Sequence, residues 1–171
     1  MLRPRLLLAA AITALVTALA VLLVGTVGIY RVAGDSMAPA LPPGTLVVVE
    51  RLGTPPGGYQ LGELVAFRAP LGWETTGETL VKRVVGLPGD VITIYEGSVH
   101  RNGTPLAEPY LSTGATTEAR GRRIGEWVLT GDQYFLLGDN RRPSLDSRLF
   151  GPVDGSLIIG RLLHPGGAGG G

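Results

Sequence analysis

The chain begins with one long apolar segment and continues with short apolar runs separated by turn residues. Residues 6–30 carry no charge and are bounded by Arg5 and Arg31. At 1.5 Å per residue, about 25 helical residues are long enough to cross a hydrocarbon core of about 30 Å. The pattern therefore predicts one transmembrane signal-anchor helix over residues 6–30.

A cleaved signal peptide is the alternative interpretation of this segment, because Arg3 and Arg5 provide a positively charged start. The apolar regions of signal peptides are shorter, however, at about 7–15 residues. A small-x-small cleavage pattern, Ala18-Leu19-Ala20, lies inside the apolar run rather than after it. We therefore favour an uncleaved anchor. A secreted β-protein whose mature form begins at Val21 is the competing hypothesis.

The charges that flank the segment predict its orientation. Arg3, Arg5 and the terminal amine favour a cytoplasmic N-terminus over residues 1–5, whereas Arg31 and Asp35 nearly cancel on the far side. The sequence predicts a single-pass protein of the cytoplasmic membrane, with the lipid bilayer as a partner. Residues 31–165 then form an extracytoplasmic domain, and residues 166–171 form a flexible Gly-rich tail.

After residue 31 the apolar runs are short, rich in β-branched residues and bounded by Gly, Pro and Asn-Gly turn signals. They predict eight strands, over residues 45–50, 63–67, 80–85, 91–95, 98–101, 127–129, 134–137 and 157–163. No stretch between them has a helical period over a dozen residues. The pattern predicts an all-β domain built as a coiled sheet or barrel.

Composition excludes several classes of function. The chain has no cysteine, which removes disulfides, thiolate nucleophiles and Cys-based zinc sites. His100 and His164 have no ligand pattern around them, and we expect both at the surface. The formal net charge of +1 does not provide the basic field that nucleic-acid binding requires. We expect no metal, no cofactor and no nucleic-acid partner.

One cation stands apart from the others. The chain has fourteen arginines and a single lysine, Lys82, which lies in an apolar stretch over residues 80–85. An arginine keeps its proton in a protein, whereas a desolvated lysine can release it. Lys82 is therefore a candidate proton acceptor, and an ordinary surface cation is the alternative.

Ser36 follows soon after the apolar segment, in the string GDSMAP over residues 34–39. The nearby prolines predict a tight, rigid loop, where nucleophiles are often found. Ser36 is six positions after Tyr30, and an extended link of that length reaches only about 20 Å. We therefore expect Ser36 close to the bilayer surface, with a substrate that emerges there.

Three strings occur in order behind the apolar segment: GDSM at residues 34–37, VKRVVGLPGD at 81–90, and GDNR at 138–141 followed by SLDSR at 144–148. Together they resemble the type I signal peptidases, the membrane-anchored Ser–Lys peptidases that remove signal peptides from exported proteins. The similarity runs to about residue 160 and includes the shorter strings GELVAF at 62–67 and EPY at 108–110. It implies a signal-peptidase-like catalytic domain behind the N-terminal helix.

The resemblance implies a role for each matching residue. Ser36 is the expected nucleophile and its backbone N–H the oxyanion donor, while Lys82 is the expected general base. Ser144 matches the hydroxyl that orients the lysine amine. Three further residues match ion-paired positions that shape the site: Asp139, Asp146 and Arg148. Arg83 must point away from Lys82, because neighbouring side chains of a strand lie on opposite faces.

Five apolar positions match the small substrate pockets of the family, which accept Ala at the first and third positions before the cut: Val32, Met37, Leu41, Leu80 and Val81. Ordinary core packing is the alternative for these five. Gly34 departs from relatives with an oxyanion hydroxyl two positions before the nucleophile, and Arg142-Pro143 departs near Ser144. Asp35 and Asn140 have no assignable chemistry, and we expect them to brace turns.

The function implied is a serine endopeptidase that cleaves exported preproteins after Ala-X-Ala sites by acyl transfer, with signal peptides as its partners. The alternative from another class is a non-catalytic membrane-anchored β-barrel binding module related to signal peptidases, in which Lys82 is exposed with an ordinary pKa. The self-cleaving repressors that share the Ser–Lys site need a helix-turn-helix before Ser36, where this chain has its apolar segment.

Overall fold

A computed structural model describes residues 4–75, 77–119 and 125–163 of the chain. Helix α1 (Pro4–Thr26) comes first. The strands that follow are β1 (Val27–Arg31), β2 (Leu46–Glu50), β3 (Leu64–Arg68), β4 (Thr79–Gly86), β5 (Val91–Tyr95), β6 (Ser98–Arg101), β7 (Thr104–Pro105), β8 (Gly125–Val128), β9 (Gln133–Leu137), β10 (Val153–Asp154) and β11 (Ile158–Leu163). A short helix, α2 (Ser147–Phe150), and a 3₁₀ turn (Gly155–Leu157) lie among the last strands. The predicted all-β domain is confirmed.

The apolar segment does not form a helix over its whole length. Helix α1 ends at Thr26, and β1 pairs antiparallel with β2 from Val27 opposite Glu50 to Arg31 opposite Leu46. The helix predicted over residues 6–30 is therefore too long at its C-terminal end, because pairing with β2 satisfies the backbone of its last residues. Among the residues that the structure describes, no helix meets the length and hydropathy that crossing a membrane requires.

The main sheet has seven strands in the order β1-β2-β11-β3-β4-β9-β10, and every neighbouring pair is antiparallel. Four antiparallel pairings separate β1 from β4, so these two strands run in the same direction. Strand β9 pairs with β4 only from Arg83 to Gly86, so among the described residues one edge of β4 has no partner strand before Arg83. Because residues next to β1 and residues of β4 line a single cleft, the sheet is strongly coiled.

The smaller sheet has the order β7-β6-β5-β8. Glu96-Gly97 and Asn102-Gly103 turn its hairpins with positive φ at both residues, which matches the twist of two-residue hairpin loops. His100 is buried in β6 and stacks on Tyr95 with ring centroids 4.1 Å apart, so the expectation of a surface position is wrong for it. His164 and the predicted tail, residues 166–171, lie outside the described residues.

Apolar side chains form three clusters, and each fixes a different part of the site. Met37, Leu41 and Val47 join the loop after β1 to strand β2. A second cluster lies behind β3, β4 and β9, where Trp73 stacks on Phe150 with centroids 4.6 Å apart. The third cluster packs the smaller sheet onto the other end of β4 and β9. The loops that carry the candidate residues are therefore attached to packed cores.

Gly160 is a point of close backbone approach in the main sheet. A Cβ at this position would collide with the carbonyl oxygen of Glu50 and lie 2.8 Å from its carbonyl carbon. We predict that Gly160→Ala lowers the free energy of unfolding by about 1–3 kcal/mol, because β11 or β2 must shift. Urea unfolding measures this. Gly34→Ala is the control, since a Cβ there meets nothing within 4 Å, and equal losses in both variants would contradict the prediction.

Candidate active site

The fold brings Ser36 and Lys82 into contact across 46 residues of chain. The Lys82 Nζ donates a hydrogen bond to the Ser36 Oγ at 2.5 Å. Ser36 lies on the loop that follows β1. Lys82 lies on β4, where it pairs with Val65 of β3, one residue before β9 joins the other edge at Arg83. A hydroxyl in direct contact with an amine is the arrangement that a Ser–Lys nucleophile needs.

The environment of Lys82 favours its neutral form. Its side chain is 3% exposed, and burial lowers the pKa of the amine from 10.5 to about 8. The Asp146 carboxylate acts in the opposite direction, while the positive charge of Arg148 lowers the pKa further. Lys82 is therefore not the exposed cation with an ordinary pKa that a non-catalytic module predicts.

Ser144 is buried next to this pair, but its predicted hydrogen bond to the lysine is absent. Its Oγ has no hydrogen-bond partner among the described residues. It packs against Gly138, where a Cβ would collide with the Ser144 Oγ and lie 2.5 Å from the carbonyl oxygen of Ser36. Only glycine therefore allows the two serine-bearing segments to approach at this point, and the sequence reasoning assigned no role to Gly138.

Asp146 and Arg148, two of the three residues matched to ion-paired positions, form an ion pair with each other. The Arg148 Nε and Nη2 donate to the two carboxylate oxygens of Asp146, each at 2.8 Å. Asp146 also accepts the backbone N–H of Gly138 at 3.2 Å and caps helix α2. Both side chains are buried, so the pair connects α2 to the glycine that lies between the two serines.

Asp139 pairs with the residue next to the catalytic candidate. The Arg83 Nε and Nη2 donate to its two carboxylate oxygens at 2.8 and 2.6 Å. Arg83 therefore points away from Lys82, as strand alternation predicts, and its guanidinium lies 4.0 Å from the ring centroid of Tyr110. The backbone of β4 presents the amine on one face and this ion pair on the other.

The structure also shows a buried network that the sequence reasoning missed. The Arg141 guanidinium pairs with Glu108 and contacts the Thr117 hydroxyl, and its Nε donates to the carbonyl oxygen of Gly138 at 3.0 Å. Tyr110 donates to Glu108 at 2.7 Å, and burial together with this carboxylate raises the pKa of the Tyr110 phenol. The strings EPY and GDNR were the available signals, but nothing in them indicates that they are in contact.

An open cleft of about 340 Å³ leads to Ser36 and Lys82. Four of the five predicted pocket residues line it: Val32, Met37, Leu80 and Val81. Leu41 does not, because it is completely buried in the cluster with Met37 and Val47, and core packing is the correct interpretation for it. Pro143, part of the departure noted in the sequence, also lines the cleft.

The unpaired edge of β4 faces the same cleft. Glu78 accepts from Ala69, and Val84 accepts from Gly62, so the backbone groups of these positions point towards β3. Because the direction alternates along a strand, the N–H and C=O groups of Thr79 and Val81 point to the opposite edge. They are available to an extended peptide. Within the described ranges, no three His, Asp or Glu side chains lie together as a metal ion requires.

Comparisons with known proteins show which family the chain resembles. A family model described as signal peptidase, peptidase S26, matches residues 5–165. Signal peptidase IB of Staphylococcus aureus (strain Mu50 / ATCC 700699) is 32% identical over 146 residues, 78% of this chain and 74% of that protein. Signal peptidase I of Bacillus caldolyticus is 37% identical over 142 residues, 78% of this chain and 75% of that protein. A crystal structure of a signal peptidase I from Enterococcus faecalis V583 is 29% identical with a TM-score of 0.47, over 60% of this chain and 95% of that one.

The family model covers nearly the whole chain, and both sequence relatives match most of their own length. The resemblance predicted from the three ordered strings is confirmed, and so is the prediction of a serine endopeptidase. This chain belongs to the signal peptidase family, peptidase S26.

Proposed function

We propose that this protein is a membrane-anchored serine endopeptidase that removes signal peptides from exported preproteins, with Ser36 as nucleophile and Lys82 as general base. The observation that carries the proposal is the 2.5 Å contact between the Lys82 Nζ and the Ser36 Oγ at the end of an open cleft. A buried amine with a pKa of about 8 is neutral in roughly one molecule in ten at about pH 7, far more often than a lysine with an ordinary pKa. It can therefore accept the proton that Ser36 must lose.

The reaction proceeds by acyl transfer. Lys82 takes the hydroxyl proton as the Ser36 Oγ bonds to the scissile carbonyl carbon, and the carbonyl oxygen becomes an oxyanion that the Ser36 N–H stabilises. The C–N bond then breaks, and the Lys82 ammonium returns its proton to the leaving amine of the mature protein. Water then attacks the acyl ester while Lys82 takes one of its protons. The bond between the acyl carbon and the Ser36 Oγ breaks, Lys82 returns the proton to that oxygen, and the signal peptide leaves as a carboxylic acid that ionises in water.

The cleft supports an extended substrate with small side chains near the cut. A peptide strand can pair with the free N–H and C=O groups of Thr79 and Val81, since strand addition needs an unpaired edge. Val32, Leu80 and Val81 line the cleft beside it. Their bulk leaves room for Ala at the first and third positions before the scissile bond and excludes larger residues, which is the basis of the proposed Ala-X-Ala preference.

We further propose that α1 and the residues beside it anchor the enzyme, with residues 1–5 in the cytoplasm and residues 31–165 as an extracytoplasmic catalytic domain. The run without charges over residues 6–30 and the flanking Arg5 and Arg31 support this arrangement. Ser36 is ten positions after Thr26, where α1 ends, so even an extended chain holds the nucleophile within about 33 Å of the helix. The bilayer and the signal peptides of exported preproteins are the proposed partners.

Conservative replacement of the dyad tests the mechanism. We predict that Lys82→Arg and Ser36→Ala each lower cleavage of a preprotein with an Ala-X-Ala site by about 10³-fold or more, because the first removes the base and the second removes the hydroxyl. The assay uses the full-length protein in detergent and follows conversion of preprotein to mature protein. Arg101→Lys, which exchanges the same two residue types in the smaller sheet, is the matched control. A fully active Lys82→Arg enzyme would refute the dyad.

The pH dependence of the rate follows from the pKa of Lys82. Only the neutral amine accepts the proton, so kcat/KM is predicted to rise by about tenfold per pH unit at low pH and to level off above pH 8, the approximate pKa. Asp35→Asn is predicted to move the midpoint to lower pH, because the Asp35 carboxylate favours the charged amine. A kcat/KM that does not change from about pH 6 to 9 would contradict the assignment of Lys82 as the base.

The anchor is tested on the protein isolated from its membrane. An uncleaved signal-anchor predicts that the protein remains in the membrane pellet after alkaline washing and that its N-terminal sequence begins at Met1. A protein found in the soluble fraction and beginning at Val21 would instead support the secreted β-protein.

A further inference from the structure

One residue holds the peptide groups on both sides of the nucleophile. The backbone N–H of Asn140 donates to the carbonyl oxygen of Ser36 at 3.0 Å. Its side-chain Nδ2 donates to the carbonyl oxygen of Asp35 at 3.3 Å. The first bond fixes the peptide after Ser36, and the second fixes the peptide before it. Asn140 thus holds both peptide groups that set the backbone conformation of Ser36.

The peptide between Asp35 and Ser36 contains the proposed oxyanion donor. Its carbonyl oxygen accepts from the Ala38 N–H at 2.9 Å as well as from Asn140. The C=O and N–H of a trans peptide point in opposite directions, so fixing this carbonyl also fixes the direction of the Ser36 N–H. That N–H donates no hydrogen bond within the part of the chain that the structure describes, and Ser36 lines the cleft. It remains available to a substrate oxygen.

Two features make this alignment important in this chain. Gly34 carries no hydroxyl two positions before the nucleophile, so the Ser36 N–H has no side-chain donor at that position to share the oxyanion. In addition, a carbonyl that accepts hydrogen bonds polarises its peptide, which strengthens the N–H on the other side as a donor. Loss of the Asn140 side chain would therefore weaken both the direction and the strength of the Ser36 N–H.

The neighbours of Asn140 hold it rigidly in place. Asp139, on one side, is fixed by the buried ion pair with Arg83. Arg141, on the other side, is fixed by Glu108 and by the carbonyl oxygen of Gly138. The Asn140 side chain therefore extends from a short segment in which the residues before and after it are buried and ion-paired. A preorganised donor of this kind costs no reorganisation when charge develops.

We propose that Asn140 is a positioning residue of the oxyanion hole, whose side chain aims the Ser36 N–H at the oxygen of the tetrahedral intermediate. The inference rests on the proposed function. It assigns Asn140 no contact with the substrate. Its effect is therefore expected in the transition state and in analogues of it, and not in the binding of the ground-state peptide.

The decisive variant is Asn140→Asp, which keeps the size of the side chain and the backbone N–H but replaces the Nδ2 donor by a carboxylate oxygen. In the full-length enzyme in detergent, above the pKa of Lys82, we expect kcat to fall on the order of 10-fold with KM unchanged. Asn140→Ala is expected to show the same division between kcat and KM. If kcat is unchanged in both variants while wild type is active, the proposal is overturned.

A pair of inhibitors separates positioning from folding. A peptide aldehyde ending in Ala-X-Ala bonds to the Ser36 Oγ, transfers the serine proton to Lys82 and places an oxyanion at the hole, whereas the matching peptide amide forms no bond. We expect Asn140→Asp to weaken the aldehyde by the same factor as kcat/KM and to leave the amide unchanged. Equal weakening of both inhibitors would show a binding or folding defect and would overturn the proposal.

Rescue provides an independent readout. Gly34→Ser places a hydroxyl where a Cβ meets no atom within 4 Å, and we expect it to restore aldehyde affinity to the Asn140→Asp enzyme. If Gly34→Ser does not restore aldehyde affinity, the Asn140→Asp enzyme has not lost oxyanion stabilisation and the proposal is overturned. A wild-type enzyme that leaves the preprotein uncut refutes the proposed function. A wild-type enzyme that cleaves it, together with Asn140 variants whose kcat is unchanged, refutes only the positioning role.

Discussion

The burial of one amine is the constraint on which the site depends. An ammonium group is best solvated by water, so a lysine that is almost completely enclosed is shifted towards its neutral form. Carboxylates close to Lys82 would reverse this shift if they were unpaired. Asp146 is instead neutralised by Arg148, and Asp139 by Arg83. These two ion pairs therefore limit how far the nearby carboxylates raise the pKa of Lys82.

The same charges attach the separate chain segments to one another. Buried ion pairs add little net stability, but each is costly to break because a single charge would remain without its partner. Arg83 joins β4 to Asp139 and lies over the ring of Tyr110. Arg141 joins the segment 138–148 to Glu108 and to the Thr117 hydroxyl. Ser144 differs from these residues, since its buried hydroxyl has no hydrogen-bond partner in the part of the chain that the structure describes. Its position beside Gly138 and the dyad is where the family resemblance places an orienting hydroxyl.

The direction of the strands gives the cleft a polarity. Strand β1 leads from α1 towards Ser36, and β4 runs in the same direction towards Lys82. Under the proposed function, a peptide whose apolar part lies in the membrane and whose cleavage site lies beyond it would follow the path of β1. The chain that carries Ser36 and the chain to be cut would then enter the site from the same side, as the proposed action close to a bilayer requires.

The sequence by itself determined the all-β class and identified Ser36 and Lys82 as the candidate nucleophile and base, because these depend on local signals: short apolar runs between turns, a serine in a proline-rich loop and a lone lysine in an apolar strand. Only the tertiary structure decided where α1 ends, since pairing with β2 draws the residues after Thr26 into a sheet. It also placed Leu41 in the core and joined Arg141 to Glu108 across 33 residues. The alternation of a strand specifies which face a side chain occupies, but the partner that meets it there is set by how distant strands pack together.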